Sequence, residues 1–118
     1  MPYMLMIVEP TAQRGTRTEA EGRQAYDHML GFGQSLKDRG LLLASESLKS
    51  LTDAARVSVR NGRPQVLDGP FAEAKEMIGG FFLVNCATRA EAIAIAAECP
   101  AAQWCTIEVR SLGPCYDR

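Results

Sequence analysis

Residues 3–8 read YMLMIV, an apolar run without alternation that ends shortly before Pro10. A strand with one wet face alternates polar and apolar positions, so a short continuous run reads as a strand with apolar side chains on both faces. Residues 41–44 (LLLA) and 81–84 (FFLV) carry the same signature. Three such strands in one sheet require cover on both sides, and that requirement organises the rest of the chain.

Working outward, Thr18 followed by Glu21 forms a capping box that opens a helix with apolar positions at Ala25, Tyr26, Met29, Phe32 and Leu36. Gly40 ends it, and residues 41–48 (LLLASESL) form the second strand. ARVSV at 55–59, the Asn61-Gly62 turn and RPQVL at 63–67 read as an alternating, half-exposed hairpin. Residues 81–86 form the next strand, and Thr88 with Glu91 caps a helix that runs to Cys99 and stops at Pro100. Residues 104–110 close the chain as a strand alternating Cys105, Ile107 and Val109 against Thr106, Glu108 and Arg110.

Without the hairpin this order is strand-helix-strand twice, which predicts an α+β, ferredoxin-like fold: an antiparallel sheet with two helices on one face and an inserted β-hairpin. Two helices shield one face only. A bare apolar face of several hundred Å² is rare on a soluble monomer, so a homodimer with sheets packed face to face is expected.

The 118 residues, 47% hydrophobic and 23% charged, fit one domain spanning 1–118. Thirteen basic and fourteen acidic side chains are interspersed, which excludes the electrostatic footprint of nucleic-acid or anionic-membrane binding. The opening apolar run is too short for a membrane span and lacks the flanks of a signal peptide, so a cytoplasmic chain is expected. The cysteines at 86, 99, 105 and 115 lack the spacing of a metal or redox site; they read as reduced thiols, with Cys115 the exposed one. No glycine-rich phosphate loop opens a helix, so neither metal nor nucleotide cofactor is expected.

The candidate site lies around residues 68–80, DGPFAEAKEMIGG. Asp68 reads as the N-cap of a single helical turn with Pro70 in its first positions, or as a carboxylate turned toward a pocket. Phe71 reads as an anchor, Glu73 and Glu76 as a same-face carboxylate pair, Lys75 as pointing elsewhere, and Gly79-Gly80 as either a hinge or a close backbone approach. His28, the single histidine, sits at the edge of the apolar stripe of the first helix, where an imidazole moves protons near neutral pH. Glu46, between Ser45 and Ser47, would need an arginine partner (Arg56, Arg60 or Arg110) if its strand turns it inward.

DGPF, the E-x-K-E that follows it, and Cys99-Pro100 together resemble the YCII-related superfamily in its DGPF-domain branch, and the likeness spans almost the whole chain. The resemblance implies a ferredoxin-like dimeric α+β barrel, mostly of unassigned activity, with relatives similar to muconolactone isomerases or acting on chlorinated lactones. Some members are encoded beside, or fused to, extracytoplasmic-function sigma factors. The resemblance also aligns His28 with the reactive histidine of the YciI-like branch, while Cys99 occupies the position of that branch's aspartate. The expectation is a small-molecule pocket between the sheet and the first helix, near the DGPF loop, with His28 as acid or base and Asp68 as orienting carboxylate. Phe71, Glu73, Lys75, Glu46 and Cys99 are its expected surroundings. The chemistry implied is cofactor-free proton transfer or lyase-type reaction on a small organic acid or lactone. The alternative is a non-enzymatic ligand-binding or scaffold module, accessory to sigma-factor signalling.

Overall fold

A computed structural model describes residues 2–117. The chain runs β1 (Pro2–Pro10), α1 (Glu19–Asp38), β2 (Leu42–Ser47), β3 (Ala55–Arg60), β4 (Arg63–Asp68), β5 (Glu76–Asn85), α2 (Arg89–Glu98) and β6 (Thr106–Ser111). Short 3-10 turns occupy Arg14–Thr16, Leu51–Asp53 and Pro100–Gln103. Four strands form one antiparallel sheet in the order β2-β5-β1-β6, the ferredoxin-like order, and β3 and β4 form a separate two-stranded ribbon.

Both helices start where a threonine can cap them. Thr18 accepts from the Glu21 backbone N–H at 3.1 Å, and Glu21 Oε1 accepts from the Thr18 N–H at 2.8 Å, a reciprocal box that satisfies two orphan donors. That backbone hydrogen bond holds the Glu21 carboxyl below its ordinary range. Thr88 caps α2 by accepting from the Glu91 backbone N–H at 3.2 Å, while Glu91 Oε2 accepts from the Ala87 N–H at 2.9 Å.

Cross-strand pairing decides which side chains meet the helices. Leu5 faces Phe82 and Val109, and Tyr3 faces Val84. Leu5, Ile7, Phe82 and Val84 are buried against Phe32 and Leu36 of α1 and Ala92, Ile95 and Ala96 of α2. Phe32 meets Phe82 edge to face, ring centroids 5.0 Å apart, and a Cβ on Gly33 would stand 3.3 Å from Phe82 Cε1, so α1 comes closest to the sheet there. The opposite face presents Met4, Met6, Phe81 and Leu83, all partly exposed, and carries no helix among the described residues. The sheet is therefore apolar front and back with α-structure on one side. The molecule is correspondingly flat, 47 × 42 × 19 Å.

Three expectations need correction. β5 begins at Glu76 rather than at Phe81, because Met77 and Ile78 continue the ladder opposite Glu9 and Val8. Asp68 caps no helical turn: it ends β4 opposite Ala55, the Gly69 N–H continues the extended pairing by donating to Ala54 O at 2.7 Å, and the only turn beyond is Ala74 N–H to Phe71 O. The hairpin is wetter than half-exposed, since Val57, Val59, Val66 and Leu67 are each about 60% exposed (66%, 59%, 64% and 59%).

Leu5 is fully buried and Leu43 is 53% exposed. Leu5→Ala should cost about 2–5 kcal/mol and Thr18→Ala about 1 kcal/mol, whereas Leu43→Ala should stay within about 0.5 kcal/mol, as read by urea unfolding monitored at Trp104 and by circular dichroism.

Candidate functional site

An open cleft of about 1040 Å³ lies between the sheet and α1. Ile7, Phe82, Leu42 and Met29 supply apolar walls, and Glu9, Arg14, Arg17 and Trp104 line one end. Helical periodicity decides which part of α1 lines it: Arg23, Tyr26, Leu30, Gly33 and Lys37 share one side of the helix and all border the cleft.

The polar end is built by a bulge. Ile7 pairs with Gly80 and Val8 with Ile78, so Gly79 is the extra residue of β5. A Cβ on Gly79 would lie 2.8 Å from Glu9 Cδ and 2.9 Å from an Arg14 terminal nitrogen, so a glycine is required for those side chains to pass. Glu9 continues the helix-facing row of Leu5 and Ile7 and is 5% exposed. Its Oε1 accepts from Arg14 Nε at 2.5 Å. The other guanidinium nitrogens of Arg14 donate to Leu48 O at 2.8 Å and Gly79 O at 3.4 Å. A carboxylate buried alone would cost several kcal/mol, so the arginine and its two carbonyl partners are what allow Glu9 to sit there.

Beside this pair, the Arg17 guanidinium lies 5.7 Å from the centre of the Trp104 ring. Gln13 Nε2 donates to the backbone carbonyl of Trp104 at 2.6 Å, tying the segment after β1 to the main chain before β6. Cys105 borders the same corner. Burial, with the Glu9 charge second, pushes its thiol up to about 11, and Arg17 pulls weakly the other way.

The DGPF segment forms a different surface. Phe71 is buried, with the Arg56 guanidinium 3.8 Å from its ring centre, which bears out the anchor. Thr11 clasps the loop from β1: its N–H donates to Lys75 O and its hydroxyl to Ala74 O, both at 2.9 Å. A Cβ on Gly69 would collide with the Leu51 carbonyl oxygen. These ties make the segment a fixed wall, and the Gly79-Gly80 pair serves close approach: a Cβ on Gly80 would stand 2.7 Å from Glu46 O. A hollow of about 250 Å³ opens beside it, lined by Pro70, Phe71, Ala74 and Met77 with Thr11 and Leu51.

The remaining sequence candidates do not converge. His28 is exposed and leaves α1 on the side away from the cleft. Asp68, Glu73 and Lys75 are exposed and border neither hollow. Glu46 lines the large cleft but is exposed and makes no ion pair among the described residues; its register opposite Phe81 turns it from the helices, and Arg56 is engaged with Phe71 instead. Cys99 is 1% exposed, with its thiol 3.9 Å from Met29 Sδ, and burial raises its pKa, so it is packing. Glu9, Arg14 and Arg17 escaped the sequence reading. The signal available was a Glu at the end of an apolar strand with Arg five residues on, uninformative until the bulge and the turn at Arg14–Thr16 bring the two together.

The YCII-related domain profile matches residues 1–115. The chain belongs to the YCII-related family. It is similar to an uncharacterized protein of Rhizobium meliloti (strain 1021), 43% identical over 93 residues that cover 79% of this chain and 75% of the relative. In this member of the YCII-related family, Pro70 and Phe71 border the smaller hollow and the cleft of about 1040 Å³ lies elsewhere.

Gly79→Ala should destabilise by about 1–3 kcal/mol in urea unfolding, because backbone, Glu9 and Arg14 must all shift, while Gly113→Ala, with open space around it, should be neutral. For Cys105, the unfolded chain ionises near the ordinary 9.0 and the folded chain near about 11. The unfolded state therefore binds fewer protons across that window, and stability should fall as pH rises from 9 to 11. The slope should lessen in Cys105→Ala. At pH 8 a disulfide reagent should titrate exposed Cys115 first, and Cys105 and Cys99 only on unfolding.

Proposed function

We propose that this YCII-related protein works as a symmetric homodimer that binds a small organic acid or its lactone in the cleft between the sheet and α1. The observation that carries the ligand half is the cleft itself: about 1040 Å³, with Ile7, Met29, Leu42 and Phe82 among its walls and the neutralised Glu9–Arg14 pair lining it together with Arg17. Apolar walls joined by convergent polar groups are the usual anatomy of a small-molecule site. Arg17 forms no ion pair among the described residues, so it is the group that suits a carboxylate.

Surface and shape support the dimer. The chain exposes 8336 Å², against about 6300 Å² for a compact monomer of this mass. Its radius of gyration is 16.1 Å, against about 13.5 Å for a compact domain of this length. The surplus is comparable to what an obligate interface removes, and Met4, Met6, Phe81 and Leu83 on the helix-free face are its natural centre. Packing two such faces would complete a dimeric α+β barrel in the cytoplasm.

The enzymatic form of this reading is cofactor-free proton transfer or lyase-type chemistry with His28 and Asp68. The exposure of both, away from the cleft, favours the non-enzymatic form instead, a ligand-binding module such as an accessory of a signalling system. Sedimentation at micromolar concentration should give a dimer, and Met6→Lys should give a folded monomer, since a lysine at the centre of the interface would be buried without a partner. A monomeric wild type removes the dimer. Short carboxylic acids and lactones should raise the melting temperature by mass action, and a silent panel removes the ligand.

A further inference from the structure

We propose that the part of the cleft lined by Glu9 and Arg17 selects a short hydroxy acid, Arg17 holding its carboxylate and Glu9 accepting its hydroxyl hydrogen. The inference rests on the reading of the cleft as a small-molecule site and names the class of ligand that its polar end takes.

The chemistry follows from which hydrogen-bonding groups are already spent. Arg14 has its Nε and both terminal nitrogens committed, to Glu9, Leu48 O and Gly79 O. It is a neutralising and positioning residue, with three of its five N–H donors committed inside the protein. Glu9 is differently placed: an ionised carboxylate accepts about four hydrogen bonds, and a single donor among the described residues occupies it. Its remaining capacity lies on the cleft wall and demands a donor, an O–H or N–H of the ligand. Only a carboxylate this firmly held offers that acceptor in a fixed position, and Gly79 leaves the space in which it is held.

Arg17 supplies the complement. It is half-buried, braced over Trp104, and free of any carboxylate partner among the described residues, while Glu21 is already tied to Thr18. Glu9, Arg17 and Trp104 all line the same cleft. The segment carrying Arg14 and Arg17 is pinned at Thr11, Gln13 and Thr16, so the corner is organised before any ligand arrives. A ligand that fits has one carboxylate, one hydroxyl and a short apolar body for Ile7 and Met29. A second carboxylate would meet Glu9 and be repelled. An acid without the hydroxyl leaves the Glu9 acceptor dry and unfilled.

The test is calorimetric titration of the full-length protein, at fixed ionic strength, with lactate and 3-hydroxybutyrate, their deoxy partners propionate and butyrate, and the dicarboxylate malonate. Each hydroxy acid should bind at least about tenfold more tightly than its deoxy partner, and malonate most weakly. Glu9→Gln should erase the preference of each hydroxy acid over its deoxy partner. Arg17→Gln should weaken every acid about tenfold or more, and Arg17→Lys should recover part of that loss. Equal binding of hydroxy and deoxy acids by the wild type, a preference that survives Glu9→Gln, or malonate as the best ligand would each overturn the inference while leaving the cleft as an acid site. Binding by no acid would remove the cleft reading as well. Should Glu9→Gln fail to fold, the wild-type ratios and the Arg17 pair still decide.

Discussion

The antiparallel pairing of β1 with β5, broken once at Gly79, is the constraint on which the rest of this structure depends. Before the bulge, the register puts Leu5 and Ile7 of β1 on the same face as Phe82 and Val84 of β5 and gives both helices a floor. At the bulge the extra residue has no side chain, and the space it leaves admits a glutamate and an arginine where the strands would otherwise press together. One irregularity in one ladder thus separates an apolar core from a polar corner only a few residues away. Either strand built without it would close that corner with backbone.

The chemistry of the cleft follows from this arrangement. A buried carboxylate survives there because the Arg14 guanidinium pairs with it, itself held by the Leu48 and Gly79 carbonyl oxygens. That set is self-satisfied on its inner side and open on the cleft side, which distinguishes it from an ion pair that merely glues strands. The exposed pairs Arg23–Glu19 and Lys49–Asp53 are of the gluing kind, solvated and worth little. The DGPF segment earns its rigidity from different sources: an anchored ring, a threonine clasp and a glycine under the Leu51 carbonyl. It shapes the molecule next to the hairpin and leaves the large cleft to β1, β5 and α1.

The imbalance between sheet and helix governs how the molecule meets its surroundings. A single α-layer over a sheet that is apolar on both faces gives a plate 19 Å thick, with a helix-free face of methionine, leucine and phenylalanine and a ribbon whose valines stand in solvent. Hydrophobic burial scales with area removed from water, so such a plate gains more from a second copy than from further folding of its own chain. The proposed dimer and the proposed ligand site use opposite faces of the same sheet and share Phe81, which also borders the cleft.

The letters alone determined the element order, because periodicity, capping boxes and the Asn61-Gly62 turn are local signals that tertiary contacts seldom override. The helices begin at the residues their capping threonines mark, and the continuous apolar runs correctly indicated strands with apolar side chains on both faces. Phe71 as an anchor was legible for the same reason, a large apolar ring among small and polar neighbours. The start of β5, the extended rather than helical course at Asp68, and the choice of close approach over hinge at Gly79-Gly80 were not local, since each is set by the strand lying opposite. Above all, the polar corner was invisible in one dimension. Glu9, Arg17 and Trp104 come from a strand end, a turn and a distant segment before β6, and only the three-dimensional closure of β1 on β5 and β6 brings their charges and rings within reach of one another.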